Sequence, residues 1–189
     1  MPSDIPETNE AGPVDPMALR RVCGHFVTGV TVVTSGRGEQ AAGTTVNSFT
    51  SVSLDPPLVL VCLHADSRLR AVVRETGAYV VNFLAERQKA LAWAFANRAT
   101  ASMETVGHRP SATGVPVLTD ALAYLSCRLA ETSEIGDHTI FVGEVVDLGV
   151  PEPRRQPLVF FKGRMGSLGE DEARAQRVVD GNGFVQAAT

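Results

Sequence analysis

Seven segments rich in β-branched or apolar residues follow one another along this chain, and helical character fills only two of the six intervals between them. The segments are 30–34, 43–53, 58–63, 78–84, 122–131, 139–148 and 158–161, bounded by Gly, Pro, Asp and Ser clusters that read as turns. A doubly wound parallel sheet needs a helix after nearly every strand. This succession therefore predicts a mainly β fold with packed helices, built on an antiparallel sheet or barrel.

Three helices are expected. Asp15-Pro16 reads as an N-cap followed by proline at the first helical position. Leu19, Val22, Cys23, Phe26 and Val27 then recur at helical spacing, predicting one apolar face that ends near Gly29. Asp66-Ser67 can cap a short helix to about Glu75, and residues 86–97 form a third. Residues 98–119 read as irregular. Residues 1–14 are expected to be a disordered lead-in, 15–168 a single domain, and 169–189 a polar C-terminal tail.

Charge and cysteine content exclude several functions. The 189 residues carry 17 basic and 21 acidic side chains with no basic stripe, so a nucleic-acid backbone is not an expected partner. Cys23, Cys62 and Cys127 are far apart and odd in number, which argues against a disulfide framework and a zinc site. Their apolar neighbours predict buried thiols in a reducing compartment. No run reaches membrane-spanning length and no secretory leader is visible, so a cytoplasmic location is expected.

One motif misleads. Gly36-x-Gly38-x-x-Ala41 follows a strand and fits the dinucleotide glycine pattern. That pattern requires a helix opening on its last residue, and Thr44-Thr-Val-Asn-Ser-Phe-Thr50 forms helices poorly. A glycine-rich hairpin loop is the better reading. There is no G-x-S-x-G elbow, and His25 and His108 have no partner pattern for catalysis or metal binding.

The segment after this loop is more informative. From Thr44 to Ser53 six of ten residues are Ser or Thr and one is Asn. Such a strand is either a polar surface strand or one that offers hydroxyl and amide groups to a flat, hydrogen-bonding ligand. His64-Ala-Asp-Ser-Arg68 leads into a helix, and a helix N-terminus with a hydroxyl and an arginine suits a phosphate. Gly136-Asp-His138 sits at a hairpin turn.

These pieces occur in a distinctive order: Phe26-Val-Thr-Gly-Val-Thr-Val-Val-Thr34, Ser51-Val-Ser-Leu-Asp-Pro-Pro57, Val81-Asn82, Gly136-Asp-His138 and Pro157-Leu-Val-Phe-Phe-Lys-Gly-Arg164. The ordered set, spanning about residues 16–168, resembles the flavin reductase component of two-component flavin-dependent monooxygenases, within the FMN-binding split-barrel family. The resemblance implies a flavin-binding split β-barrel, a homodimer, FMN or FAD as cofactor, NADH or NADPH as hydride donor, and a separate monooxygenase that receives reduced flavin. It places flavin contacts at Gly43, Thr44, Thr45, Asn47, Ser48, Cys62, Leu63, His64, Ser67 and Arg68. It places the nicotinamide side at His138, the catalytic candidate, and at Phe161, Lys162 and Gly163. Two positions depart from the family pattern. Met165 stands where an aromatic is common, and Ala94 where a basic residue is common, with Arg98 as its substitute. Two other readings fit the same residues: a non-catalytic flavin-binding module, and a split-barrel oxidase acting on a small phosphorylated substrate.

Overall fold

The computed structural model describes residues 12–97, 102–151 and 155–168. The chain runs α1 (Pro16–Cys23), β1 (Thr28–Gly29), β2 (Thr31–Ser35), β3 (Ala42–Val46), β4 (Thr50–Leu54), β5 (Pro57–His64), α2 (Arg68–Thr76), β6 (Ala78–Phe83), α3 (Lys89–Ala96), β7 (His108–Pro110), β8 (Pro116–Leu118), β9 (Ala123–Ile135), β10 (His138–Gly149), β11 (Leu158–Phe161) and β12 (Arg164–Ser167). Seven strands form one antiparallel sheet in the order β3-β2-β6-β9-β10-β5-β4. A second sheet, β1-β11-β12, and the hairpin β7-β8 flank it.

The order of the large sheet dictates its shape. β3 and β4 lie at opposite edges, yet residues 47–49 alone connect them. Laid flat, seven strands would separate those edges by about 29 Å. The link from Val46 to Thr50 reaches about 14 Å. The sheet must therefore curl until its edges nearly meet, which gives the expected split barrel. Among the described residues no ladder closes it: β3 pairs with β2, and β4 with β5.

Curling gives the sheet an inside and an outside. Val33, Val59, Val61, Leu63, Tyr79, Val81, Cys127 and Phe141 pack inside, with Leu69 and Val73, one turn apart on α2, plugging the cluster. α3 covers the outside of β2, where Val32 meets Ala92 and Phe95 together with Leu84, Leu118, Leu158 and Met165. β2 is thus buried on both faces, which explains why Val30–Thr34 reads as a continuous β-branched run instead of an alternating one. Burial drives the Cys127 thiol up to about 12 and raises the neighbouring Tyr79 phenol as well.

Several expectations are corrected. The hydroxylic segment 43–53 is two strands on opposite edges, not one. The first helix stops at Gly24, five residues early, and has no buried residue. Within residues 98–119 the hairpin β7-β8 forms, and the chain adds a strand, β12, after Phe161. Cys127 is the buried thiol; Cys62 is half-buried and Cys23 exposed. The decoy glycines make a tight connection, as expected. Gly36 takes φ +79°, and a Cβ there would lie 2.3 Å from the Gln40 carbonyl oxygen. Residues 1–11 of the lead-in, the tail from residue 169 and Arg98 lie outside the described residues.

Candidate functional site

The seam where the barrel fails to close is a groove of about 570 Å³. One wall is β3 with Asn47 and Ser48, and the opposite wall is the end of β5 with the start of α2. The C-terminal half of α3, with Ser102 and Met103, forms the third side, and His138 stands at the mouth. Gly43, Thr44, Thr45, Asn47, Ser48, Cys62, Leu63, His64, Ser67, Arg68 and His138 all line it. The structure therefore gathers eleven of the fourteen residues singled out from sequence.

β3 is an edge strand. About half of its backbone N–H and C=O groups point away from β2, toward the groove side. An edge of this kind is a template for a flat ring bearing alternating donors and acceptors. Its side chains are partly committed elsewhere. Thr45 Oγ1 donates to the Ala92 carbonyl at 2.7 Å, which fixes β3 to α3. At Gly43 a Cβ would lie 2.9 Å from Phe95 Cε1, so only glycine lets helix and strand approach this closely.

Ser48 ties the seam together. Its Oγ accepts from the Cys62 N–H and donates to the Cys62 carbonyl, each at 3.0 Å. A hydroxyl has one proton, so Ser48 has none left for a ligand. Asn47 stands exposed beside it. Cys62 is also raised by burial, so it is an uncharged thiol in the groove.

The N-terminus of α2 faces the groove ready for an anion. Ser67 occupies the N-cap, but its side chain makes no capping hydrogen bond, and the first turn has no acidic residue. In contrast, α1 is capped by Asp15, which accepts from Met17 and Ala18 N–H. With Arg68 beside it, the N-terminus of α2 offers backbone N–H groups, a hydroxyl and a guanidinium to a phosphate.

At the mouth, Asp137 Oδ1 lies 2.7 Å from His138 Nδ1. That contact, followed by the charges of His138 and His64, holds the Asp137 carboxyl below the usual range. Behind the turn, Glu134 accepts from Arg70 at 2.9 and 3.0 Å, from Arg74, and from Thr139 Oγ1 at 2.9 Å. These bonds, led by that of Arg74, lower the Glu134 carboxyl and lock α2 to the β9-β10 hairpin. No cluster of the described residues could hold a metal ion.

Phe161, Lys162 and Gly163 are not brought to this groove within one chain. Phe161 and Lys162 line a second cavity with Val27, Val159, Arg164 and Met165, on the small sheet. Gly163 sits at the β11-β12 turn with φ +78°. Met165 is buried against the α3 cluster. Sequence reasoning missed the α3 wall of Phe95, Ala96 and Asn97. Its available signal is the run Ala90-Leu-Ala-Trp-Ala-Phe-Ala96, where alternating small residues let a helix approach a strand.

Comparison with known proteins accords with this geometry. The family described as Flavin reductase like domain matches residues 23–169. An NADH-dependent flavin reductase from a Rhodococcus species is 39% identical over 181 residues, covering 87% of this chain and 97% of its own. The reductase subunit HsaB of a flavin-dependent monooxygenase from Mycobacterium tuberculosis is 36% identical, covering 79% of this chain and 81% of its own. The NADH:FAD oxidoreductase SgcE6 of Streptomyces globisporus, solved with NAD and FAD fragments, superposes with a TM-score of 0.78 at 40% identity. That match covers 85% of this chain and 99% of the other.

Proposed function

This chain belongs to the flavin reductase like family, and from that premise we propose that it is an NADH-dependent flavin reductase that supplies reduced FMN or FAD to a separate flavin-dependent monooxygenase. The carrying observation is the seam groove: an unpaired strand edge suited to a flat heteroaromatic ring, facing a helix N-terminus suited to its phosphate. The bound cofactors supply the hydride chemistry, nicotinamide as donor and flavin as acceptor.

The residues of the chain do the rest. The β3 edge and Asn47 bind the ring edge, where negative charge grows on reduction. Ser67, Arg68 and the α2 N-terminus hold the phosphate. Ser48 sets the width of the groove, and Phe95 shields its helix side from water. His138, oriented by Asp137, positions the nicotinamide. No acid–base dyad is required, because hydride transfer itself moves no solvent proton.

Two further parts of the reading rest on exposure. Met17, Leu19, Val22, Phe26 and Val27 are all more than half exposed, and Val27 also lines the β11-β12 cavity. We assign this apolar face to a second copy of the chain, giving a homodimer. No described helix is long and apolar enough to cross a membrane. Three unpaired cysteines support a cytoplasmic location.

Anaerobic stopped-flow mixing of the protein with FMN or FAD and NADH tests the reading. Loss of nicotinamide absorbance together with flavin bleaching is the expected result. Flavin binding without NADH oxidation would instead make the chain a carrier module. Turnover confined to another substrate would make it an oxidase.

A further inference from the structure

Two imidazoles stand side by side at the mouth of the groove. His64 ends β5, His138 begins β10, and they are direct cross-strand partners. Their ring centroids are 5.2 Å apart, with the planes at 82°. One carboxylate serves both. Asp137 Oδ1 is 2.7 Å from His138 Nδ1, and Oδ2 is 3.8 Å from His64 Nε2.

These contacts fix the protons. An ionised carboxylate can only accept, so His138 Nδ1 carries hydrogen. On His64 the Asp66 backbone N–H donates to Nδ1 at 3.2 Å, so Nδ1 is the lone pair and Nε2 carries hydrogen. Both ring protons therefore face Asp137. His138 Nε2 is left as an acceptor, with no hydrogen bond to it from the described residues. An acceptor at this point suits the N–H of a carboxamide.

We propose that His64 is a positioning residue for the hydride donor, which acts through Asp137 to hold His138 in the tautomer whose Nε2 accepts from the nicotinamide carboxamide. This rests on the reading that the groove takes NADH.

Asp66 Oδ2 lies 3.6 Å from His64 Nδ1, so two carboxylates flank His64 and one flanks His138. The other charges nearby are Arg68 on α2 and the cluster of Arg70, Arg74 and Glu134, in which both arginines pair with the one carboxylate.

The test compares the full-length wild type with H64A, H64Q and H138A, measuring the KM for NADH, kcat and the flavin Kd at neutral pH. H64A is expected to raise the KM about 3- to 10-fold, with a much smaller change in flavin Kd. H64Q retains an N–H for Asp137 but no charge. It is expected to recover most of the wild-type KM, because its amide N–H can replace that of His64 beside Asp137. A KM in H64Q as high as in H64A overturns the proposal, as does a flavin Kd that rises in step with KM in H64A. H138A tests the underlying reading separately. A wild-type KM in H138A sinks the assignment of the groove mouth to NADH, whereas a raised KM in H138A with silent His64 variants sinks the role of His64 alone.

Discussion

The hydroxyl of Ser48 sits between the N–H and the C=O of Cys62, accepting from one and donating to the other at 3.0 Å. It takes the place of a backbone ladder across the one gap in the barrel. Ser48→Ala removes both bonds and leaves two β5 backbone groups without them. The expected cost is about 1–2 kcal/mol of stability, with weaker flavin binding because the groove loses its fixed width. Chemical denaturation and a flavin titration on the same preparation check both parts.

Gly43 and Phe95 make the opposite kind of contact, one of exclusion. A methyl group at Gly43 would meet the Phe95 ring at 2.9 Å and push α3 outward. Gly43→Ala is expected to weaken flavin binding about tenfold, with a smaller effect on stability. The double variant Gly43→Ala/Phe95→Leu should recover most of the affinity. Failure of that rescue would mean that the methyl group obstructs the ligand itself.

Asn82 belongs to the frame, although Val81-Asn82 is among the motifs that carry the family resemblance. It is fully buried on β6, with Nδ2 donating to the Val32 carbonyl and Thr34 Oγ1, and Oδ1 accepting from the Leu118 N–H. Asn82→Ala would strand these partners in the interior. A loss of about 3 kcal/mol is expected, with turnover per folded molecule unchanged. Thermal unfolding and kcat measured well below the transition separate the two.

The Arg70–Glu134–Arg74 cluster predicts a pH signature. Its folded-state carboxyl is lowered from the ordinary value of 4.5, chiefly by the bond from Arg74. Its stabilisation is therefore complete above that value and is lost as pH falls through the lowered one. Glu134→Gln should flatten the acid side of the Tm-against-pH curve, and it should loosen the hairpin that carries His138. Melting curves recorded through the acid range check the first part, and the KM for NADH the second.

The exposed apolar residues of α1 and of the bend after it predict self-association. Val22 is 70% and Phe26 75% exposed, and both lie on the stripe of apolar residues read from the sequence. Phe26→Asp combined with Val22→Asp is expected to convert a dimer to a monomer in sedimentation equilibrium. An unchanged mass would move the interface elsewhere.

Much of this architecture was legible because β-branched runs and turn residues speak locally. The strand at 30–34 and the helix after Ser67 are of this kind. So is the phosphate-suited turn His64–Arg68, whose residues are adjacent in the chain. What escaped the sequence was pairing at a distance. Nothing in Gly43–Ser53 announces that its two halves run to opposite edges of a sheet, because that depends on which strands intervene. The α3 wall and the Ser48–Cys62 bridge are invisible for the same reason. The placement of Phe161–Gly163 beside the nicotinamide came from family resemblance, and within one chain the small sheet keeps these residues apart from His138.

The open seam has a consequence for motion. Strands laddered on one side only are the first to exchange their amide hydrogens, whereas the buried centre at β2, β6 and β9 exchanges last. A ligand lying against β3 and the start of α2 would act as the missing rung of the barrel. It would slow exchange along both walls at once and raise the melting temperature as its concentration rises. A ligand held in this gap would thus complete the part of the fold that the chain leaves open.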